Sequence, residues 1–199
     1  VVETTRGTTP VPPGFSRKGE LARLAERIRA VFDRRGAVLM PAFALGKTQE
    51  AISALHAMIR RGEIPECPIF IGGLSWRFTA LHDGLAEEFP RELPKLRMIE
   101  HVGPRLLTGR DIGGHRLMAG AIYLLSSGMM IEHTLSNLLA QRMLTEERHA
   151  VFFIGYCDPE SPAGRLLAAR ASGGRVDLDP RFGPQPIYCE VDHFDLTAH

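Results

Sequence analysis

Short, wholly apolar runs alternate along this chain with amphipathic stretches at helical spacing, and that alternation limits the folds open to it. The runs Ala37-Val38-Leu39-Met40, Pro68-Ile69-Phe70-Ile71, Ala121-Ile122-Tyr123-Leu124-Leu125 and Ala150-Val151-Phe152-Phe153-Ile154 contain no charged position. A strand with one face in water shows alternation, so strands like these are expected to be buried on both faces. Between them, residues 16–35 place Leu21, Leu24, Ile28, Val31 and Phe32 at helical intervals and stop at Gly36, while 48–61 turn Ile52, Leu55, Met58 and Ile59 inward. Helices are also expected over 75–89, 132–144 and 162–170, a strand at Leu96-Arg97-Met98-Ile99, and a Gly- and Arg-rich loop over 103–119. The pattern predicts an α/β fold: a Rossmann-like three-layer domain with a mostly parallel sheet and helices on both faces. From about 175 onward, alternating extended segments (Val176, Leu178; Ile187, Cys189, Val191) read as the chain leaving that domain.

Composition narrows the function classes. The 199 residues are 44% hydrophobic and 24% charged, ordinary globular values, and the formal net charge is only +1. Any polyanion site must therefore come from local arrangement and not from a global excess of base. No apolar run approaches the roughly 20 residues of a membrane-spanning helix, so no membrane partner is expected. Three cysteines, Cys67, Cys157 and Cys189, are an odd number without Cys-x-x-Cys spacing. They support neither a disulfide framework nor a zinc knuckle, and a reducing cytoplasm is the expected setting.

In an open parallel sheet, ligands sit at the carboxyl ends of strands, where loops run into helix N-termini. Three segments occupy such positions. Pro41-Ala42-Phe43-Ala44-Leu45-Gly46-Lys47-Thr48-Gln49-Glu50 resembles a P-loop in its Gly-Lys-Thr, but that motif needs a glycine five positions before Gly46, where Pro41 stands. A plain turn with a solvated Lys47 is the simpler reading. Ser126-Ser127-Gly128-Met129-Met130 offers small residues and hydroxyls before a helix, suited to a phosphate or to an ordinary strand-to-helix turn. In Gly155-Tyr156-Cys157-Asp158-Pro159-Glu160-Ser161-Pro162-Ala163-Gly164-Arg165, the guanidinium is either a phosphate ligand or a surface group.

His56, His82, His101, His115, His133 and His149 lack metal-ligand spacing. On an extended segment, His193 and His199 would stand roughly 20 Å apart and share no ion. The chain begins without Met, with Glu3 in Val1-Val2-Glu3-Thr4-Thr5-Arg6-Gly7, and ends Phe194-Asp195-Leu196-Thr197-Ala198-His199. It is expected to be a piece of a longer protein whose reactive centre lies at a seam with other parts.

Together these segments resemble the β-CASP subgroup of metallo-β-lactamase-fold nucleases, in the branch of the cleavage-and-polyadenylation endonuclease and its bacterial and archaeal relatives. Glu3-Thr4-Thr5-Arg6-Gly7 is similar to motif A, Glu-Ser-Thr-Tyr-Gly, with Arg6 for Tyr. Pro41 to Glu50 resembles Pro-x-Phe-Ala-x-Gly-Arg-x-Gln-Glu, with Lys47 for Arg. Ser126-Ser127-Gly128-Met129 resembles the Ser-Gly-Met turn, and Gly155-Tyr156 with Gly164-Arg165 the Gly-Tyr and Gly-Arg pair. Phe194 to His199 resembles motif B, Phe-x-x-Ser-Ala-His, with Thr197 for Ser.

The resemblance implies residues 1–8 as the end of a metallo-β-lactamase part, 9–185 as the β-CASP domain and 186–199 as the return strand. It implies a zinc-dependent RNA-processing nuclease, endo- or 5′-exonucleolytic, with two zinc ions held by ligands outside this chain and with motif C also beyond it. The isolated chain is then expected to be inactive. His199 is implied to act beside the scissile phosphate, with Glu3 orienting it, and Ser126, Ser127, Gly128, Lys47, Arg165 and Arg6 are implied to hold RNA phosphates. The implied partners are RNA and the missing metallo-β-lactamase domain of the same polypeptide, with a homodimer left open. A non-catalytic RNA-binding scaffold of the same family and an independent nucleotide-binding Rossmann domain stand as alternatives. Glu132 after the Met turn, and Asp158 and Glu160, are more acidic than the family pattern.

Overall fold

The computed structural model describes residues 14–88, 93, 95–114 and 116–196. The four apolar runs form strands β1 (Val38–Pro41), β2 (Ile69–Gly72), β4 (Ile122–Leu125) and β5 (Ala150–Phe153), each buried at every position. They lie in a six-stranded sheet completed by β3 (Arg105–Leu107) and β8 (Glu190–His193), in the order β3-β2-β4-β1-β5-β8. Every pairing in it is parallel, with Val38 opposite Ile122 and Ala150, and Phe153 opposite His193.

Alternate strand residues serve opposite faces, as the period of two requires. Val38, Met40, Ile122, Leu124, Ala150 and Phe152 pack with helices α1 (Arg17–Asp33) and α2 (Lys47–Arg60). Leu39, Tyr123, Leu125, Val151 and Phe153 pack with α6 (Leu135–Met143) and α7 (Pro162–Ser172). Helix α3 (Gly73–Gly84) follows β2 directly and contributes Trp76 to the α1–α2 side. The three-layer α/β architecture read from the sequence is the one observed.

Three local expectations are corrected. Residues 98–101 form a short helix, α4 (Met98–His101), where a strand was expected, because the buried Asp83 carboxylate accepts from the first-turn amides of Met98 (2.9 Å) and Ile99 (2.8 Å). The segment expected as loop supplies edge strand β3 and a one-turn helix, α5 (Gly109–Ile112). Arg105 and Leu106 are exposed, so this strand lacks the two-sided apolar signature. Beyond 175, β6 (Arg175–Val176) and β7 (Gln185–Pro186) pair antiparallel, and β8 then returns to the main sheet beside β5. The chain does not leave the domain there.

Gly36 also has a different role from the stop signal. Arg35 takes the left-handed conformation (φ 56°) that ends α1, while a Cβ at Gly36 would collide with the Arg148 carbonyl. His149 locks the same corner: its buried Nδ1 accepts from the Ala37 amide at 3.0 Å. Desolvation holds this imidazole below its ordinary value of 6.5, with the Glu146 carboxylate opposing that shift.

Protonation of His149 thus favours the unfolded chain. Its contribution to stability is complete above pH 6.5 and is lost as the pH falls through the folded value. Burial lowers His56 too, with the same sign. Urea unfolding is expected to show stability falling from pH 7.5 to 5. His149→Phe is expected to reduce that slope and to cost about 1–2 kcal/mol at pH 7.5 through the orphaned Ala37 amide; an unchanged slope contradicts the assignment.

Candidate functional site

Because the strands are parallel, the loops after β1, β4, β5 and β8 all emerge at one edge of the sheet. The N-termini of α2, α3, α6 and α7 follow β1, β2, β4 and β5, so their partial positive charges gather at that edge. This supplies a field for an anion without an excess of basic side chains.

Buried polar residues of α2 fold the β1–α2 loop back on itself. Gln49 accepts from the Gly46 amide (2.7 Å) and donates to Ala44 O (3.1 Å) and to Thr79 Oγ1 (2.9 Å). Thr48 Oγ1 donates to Phe43 O at 2.8 Å, which occupies the hydroxyl that a P-loop would turn toward a phosphate-bound cation. Gly46, at φ 80°, makes the turn that allows this closure. Phe43 and Leu45 consequently project into solvent.

Across β4, Ser126 and Ser127 are half-buried and Gly128 is buried. A Cβ at Gly128 would stand 3.1 Å from the Phe43 amide, so this glycine serves the close packing of the two loops. Ser127 Oγ accepts from the Ile131 amide at 3.1 Å, which leaves its own proton to donate outward. Ser136 Oγ donates to Ser127 O (2.7 Å), and Asn137 Nδ2 holds Met130 O (2.8 Å), fixing the turn above α6. Met129 O accepts from the Ala163 amide (3.2 Å), joining this turn to the β5–α7 loop. Tyr156 is exposed on that loop.

The two described cations proposed for phosphate are already engaged. Lys47 Nζ pairs with Glu50 Oε2 at 2.7 Å and lies 3.4 Å from Leu196 O, its stem against Gly155. Arg165 donates to Glu160 O (2.9 Å) and to Asp177 O (3.3 Å), and its guanidinium lies 3.7 Å from Glu132. Both pin loops at the edge, and Glu132 balances one of them. Ser126, Ser127, Gly128 and Lys47 are brought to one end of the sheet by adjacent strands, and Arg165 stands at the start of α7 behind them.

Glu3, Arg6 and His199 lie outside the described residues. No group of three or more His, Cys, Asp or Glu among the described residues is disposed to hold a metal ion. The cysteines are free, and burial raises their thiols, Cys67 and Cys189 to about 12 and Cys157 to about 11. No helix among the described residues is long and apolar enough to cross a membrane.

The sheet, with the β1–α2 turn closed by Gln49 and packed against Gly128, is that of a parallel α/β domain. The family model for the Beta-Casp domain matches residues 48–166, and the chain belongs to that family. Among named relatives, the transcription termination factor FttA of Pyrococcus abyssi is 31% identical over 155 residues, covering 73% of this chain and 23% of that protein. The endoribonuclease ysh1 of Emericella nidulans is 28% identical over 232 aligned positions, covering 100% of this chain and 26% of its own length. FttA of Methanosarcina mazei is 38% identical over 69 residues, 35% of this chain and 11% of that protein. The chain spans about a quarter or less of the length of these relatives. The family resemblance carried by the motifs is borne out.

Ser75 Oγ lies 3.3 Å from Thr48 Oγ1 and Ser75 O accepts from Thr79 Oγ1 (2.8 Å), so Thr48, Gln49, Ser75 and Thr79 form one buried network that the motifs did not disclose; only the polar pair after Lys47 hinted at it. Gln49→Leu removes three hydrogen bonds and strips the Gly46 amide and the Ala44 carbonyl of this partner, while Thr79 Oγ1 keeps its bond to Ser75 O, so chemical denaturation is expected to show a loss of about 2–4 kcal/mol. Lys47→Met breaks a partly exposed ion pair and is expected to cost about 1 kcal/mol or less. Equal costs would contradict this division of roles.

Proposed function

We propose that this chain is the RNA-holding part of a zinc-dependent RNA-processing nuclease, with RNA lying across the carboxyl edge of the sheet. The observation that carries the reading is the meeting of Ser126, Ser127 and the Phe43 and Tyr156 loops beneath four helix N-termini, in a chain of the Beta-Casp family. The relative named as an endoribonuclease aligns along the whole of this chain, which favours RNA as substrate. The Ser126 and Ser127 hydroxyls would donate to phosphate oxygens, the helix dipoles would supply the field, and the exposed rings of Phe43 and Tyr156 would take bases by stacking. Lys47 and Arg165 would hold the loops beside the phosphate path, with Arg6 beyond the described residues.

In this reading His199 gives a proton to the leaving oxygen and Glu3 orients its ring. Two zinc ions would be held by ligands outside this chain, as the family resemblance implies. When bound, the metal supplies a hydroxide nucleophile at neutral pH. This chain's own contribution is to hold RNA and to present the motif that ends at His199. Free, unpaired cysteine thiols are consistent with the reducing cytoplasm proposed as the setting.

In the intact protein, His199→Ala is expected to slow RNA cleavage by about a hundredfold or more with zinc content unchanged; full activity would remove His199 from the mechanism. If the intact wild type binds RNA without cleaving it, the scaffold reading holds in its place. Ser127→Glu and Tyr156→Ala are each expected to weaken binding to single-stranded RNA by about fivefold or more, the former most at low salt. Filter binding that shows neither effect would move the RNA to another surface.

A further inference from the structure

We propose that Glu20 and Arg23, on the outer side of α1, are positioning residues for the motif that ends at His199; this rests on the function proposed above. Strand β8 is an edge strand, bonded to β5 on one side, and an edge with a bare flank is free to fray or to recruit another chain. Here side chains of α1 reach the end of that strand. Arg23 Nη1 donates to Asp192 Oδ2 at 2.7 Å and its Nη2 to His193 O at 2.6 Å. Its Nε and Nη2 also engage both oxygens of Glu20, at 3.2 and 3.0 Å. The face of the same guanidinium lies 4.0 Å from the centre of the Phe194 ring.

The clamp continues where the ladder stops. The Phe194 amide makes the last bond to β5, to Phe153 O at 2.8 Å. One residue on, the Asp195 amide donates to Glu20 Oε2 (3.0 Å), and the Leu196 carbonyl faces Lys47 Nζ (3.4 Å). His193 Nε2 donates to Gly155 O at 2.9 Å, and Phe194 and Leu196 are buried. Each residue from Asp192 to Leu196 thus has a fixed partner, and helix α1 supplies those of Asp192 and Asp195. His199 follows Leu196 by three residues in the sequence.

Charge makes Arg23 the centre of the device. It stands between the carboxylates of Glu20 and Asp192, and its hydrogen bonds, with that of the Asp195 amide, hold the Glu20 carboxyl below its ordinary value against desolvation. Without the guanidinium, like charges would push the β8 exit away from α1. A lysine replaces the charge but not the planar fork that meets three groups at once. A displacement of the order of 1 Å at a reacting group costs about a hundredfold in rate, so a clamp far from the phosphate controls catalysis through geometry.

The test uses the intact protein, with Arg23→Met and Arg23→Lys each made alone and together with His199→Ala. Single-turnover and steady-state cleavage of single-stranded RNA are measured, with hydrogen exchange of the 193–196 peptide. Arg23→Met is expected to lower kcat by about tenfold to a hundredfold and to leave KM within about twofold, since uniform binding is untouched. In the His199→Ala background it is expected to cost nothing further, because both act through one group. Exchange at 193–196 is expected to quicken while peptides of β1 and β4 keep their protection, and Arg23→Lys is expected to restore only part of either readout. Wild-type kcat in Arg23→Met, the same fractional loss in both backgrounds, or unchanged exchange at 193–196 would each overturn the proposal. If the intact wild type proves inactive, the proposed function fails separately, and the exchange measurement still decides whether the clamp exists.

Discussion

The structure depends on burial of the central strands on both faces. Once Val38 to Pro41, Ile122 to Leu125 and Ala150 to Phe153 have no face in water, helices must cover both sides of the sheet. Parallel connections then send the strand-to-helix turns to one edge. The candidate site lies there: two serine hydroxyls, two exposed rings, four helix N-termini and the strand that leads toward His199. The opposite edge is occupied by the packing of Gly36, His149 and Arg148, where a single methyl group would collide.

At the carboxyl edge the loops are tied chiefly by uncharged hydrogen bonds. Gln49 and Thr48 close one loop, Ser136 and Asn137 close the next, and Met129 ties that loop to the third. A buried amide or hydroxyl network of this kind is costly to leave half-made, so it holds a single geometry. The charged groups nearby, Lys47 with Glu50 and Arg165 with Glu132, are mutually compensated. A nucleic-acid backbone would thus meet oriented dipoles and hydroxyls, with the net charge of the edge near balance.

The layers and the two-sided strands were legible because apolar runs and helical periodicity report burial directly. The segment 96–107 was not. Leu96 and Met98 are buried as a strand's would be, but the long-range capping by Asp83 makes a helical turn, and the edge strand that follows exposes Arg105 and Leu106. The last stretch was legible as extended but its place beside β5 was not, because alternation reports a strand and not its neighbour; the partners of Glu190 and Asp192, Arg23, Arg27 and Arg34, are over 150 residues away. At the site, the small residues pointed to the correct edge. Lys47 and Arg165 were legible as cations, whereas their neutralising partners are set by folding.

The central claim, that RNA crosses the carboxyl edge of the sheet, is tested most directly by cross-linking 4-thiouridine-substituted single-stranded RNA to the intact protein and mapping the modified peptides. Adducts within 42–46, 126–131 and 155–158 are the expected result. Adducts confined to the opposite edge, at 34–37, 147–149 and 173–175, would contradict it.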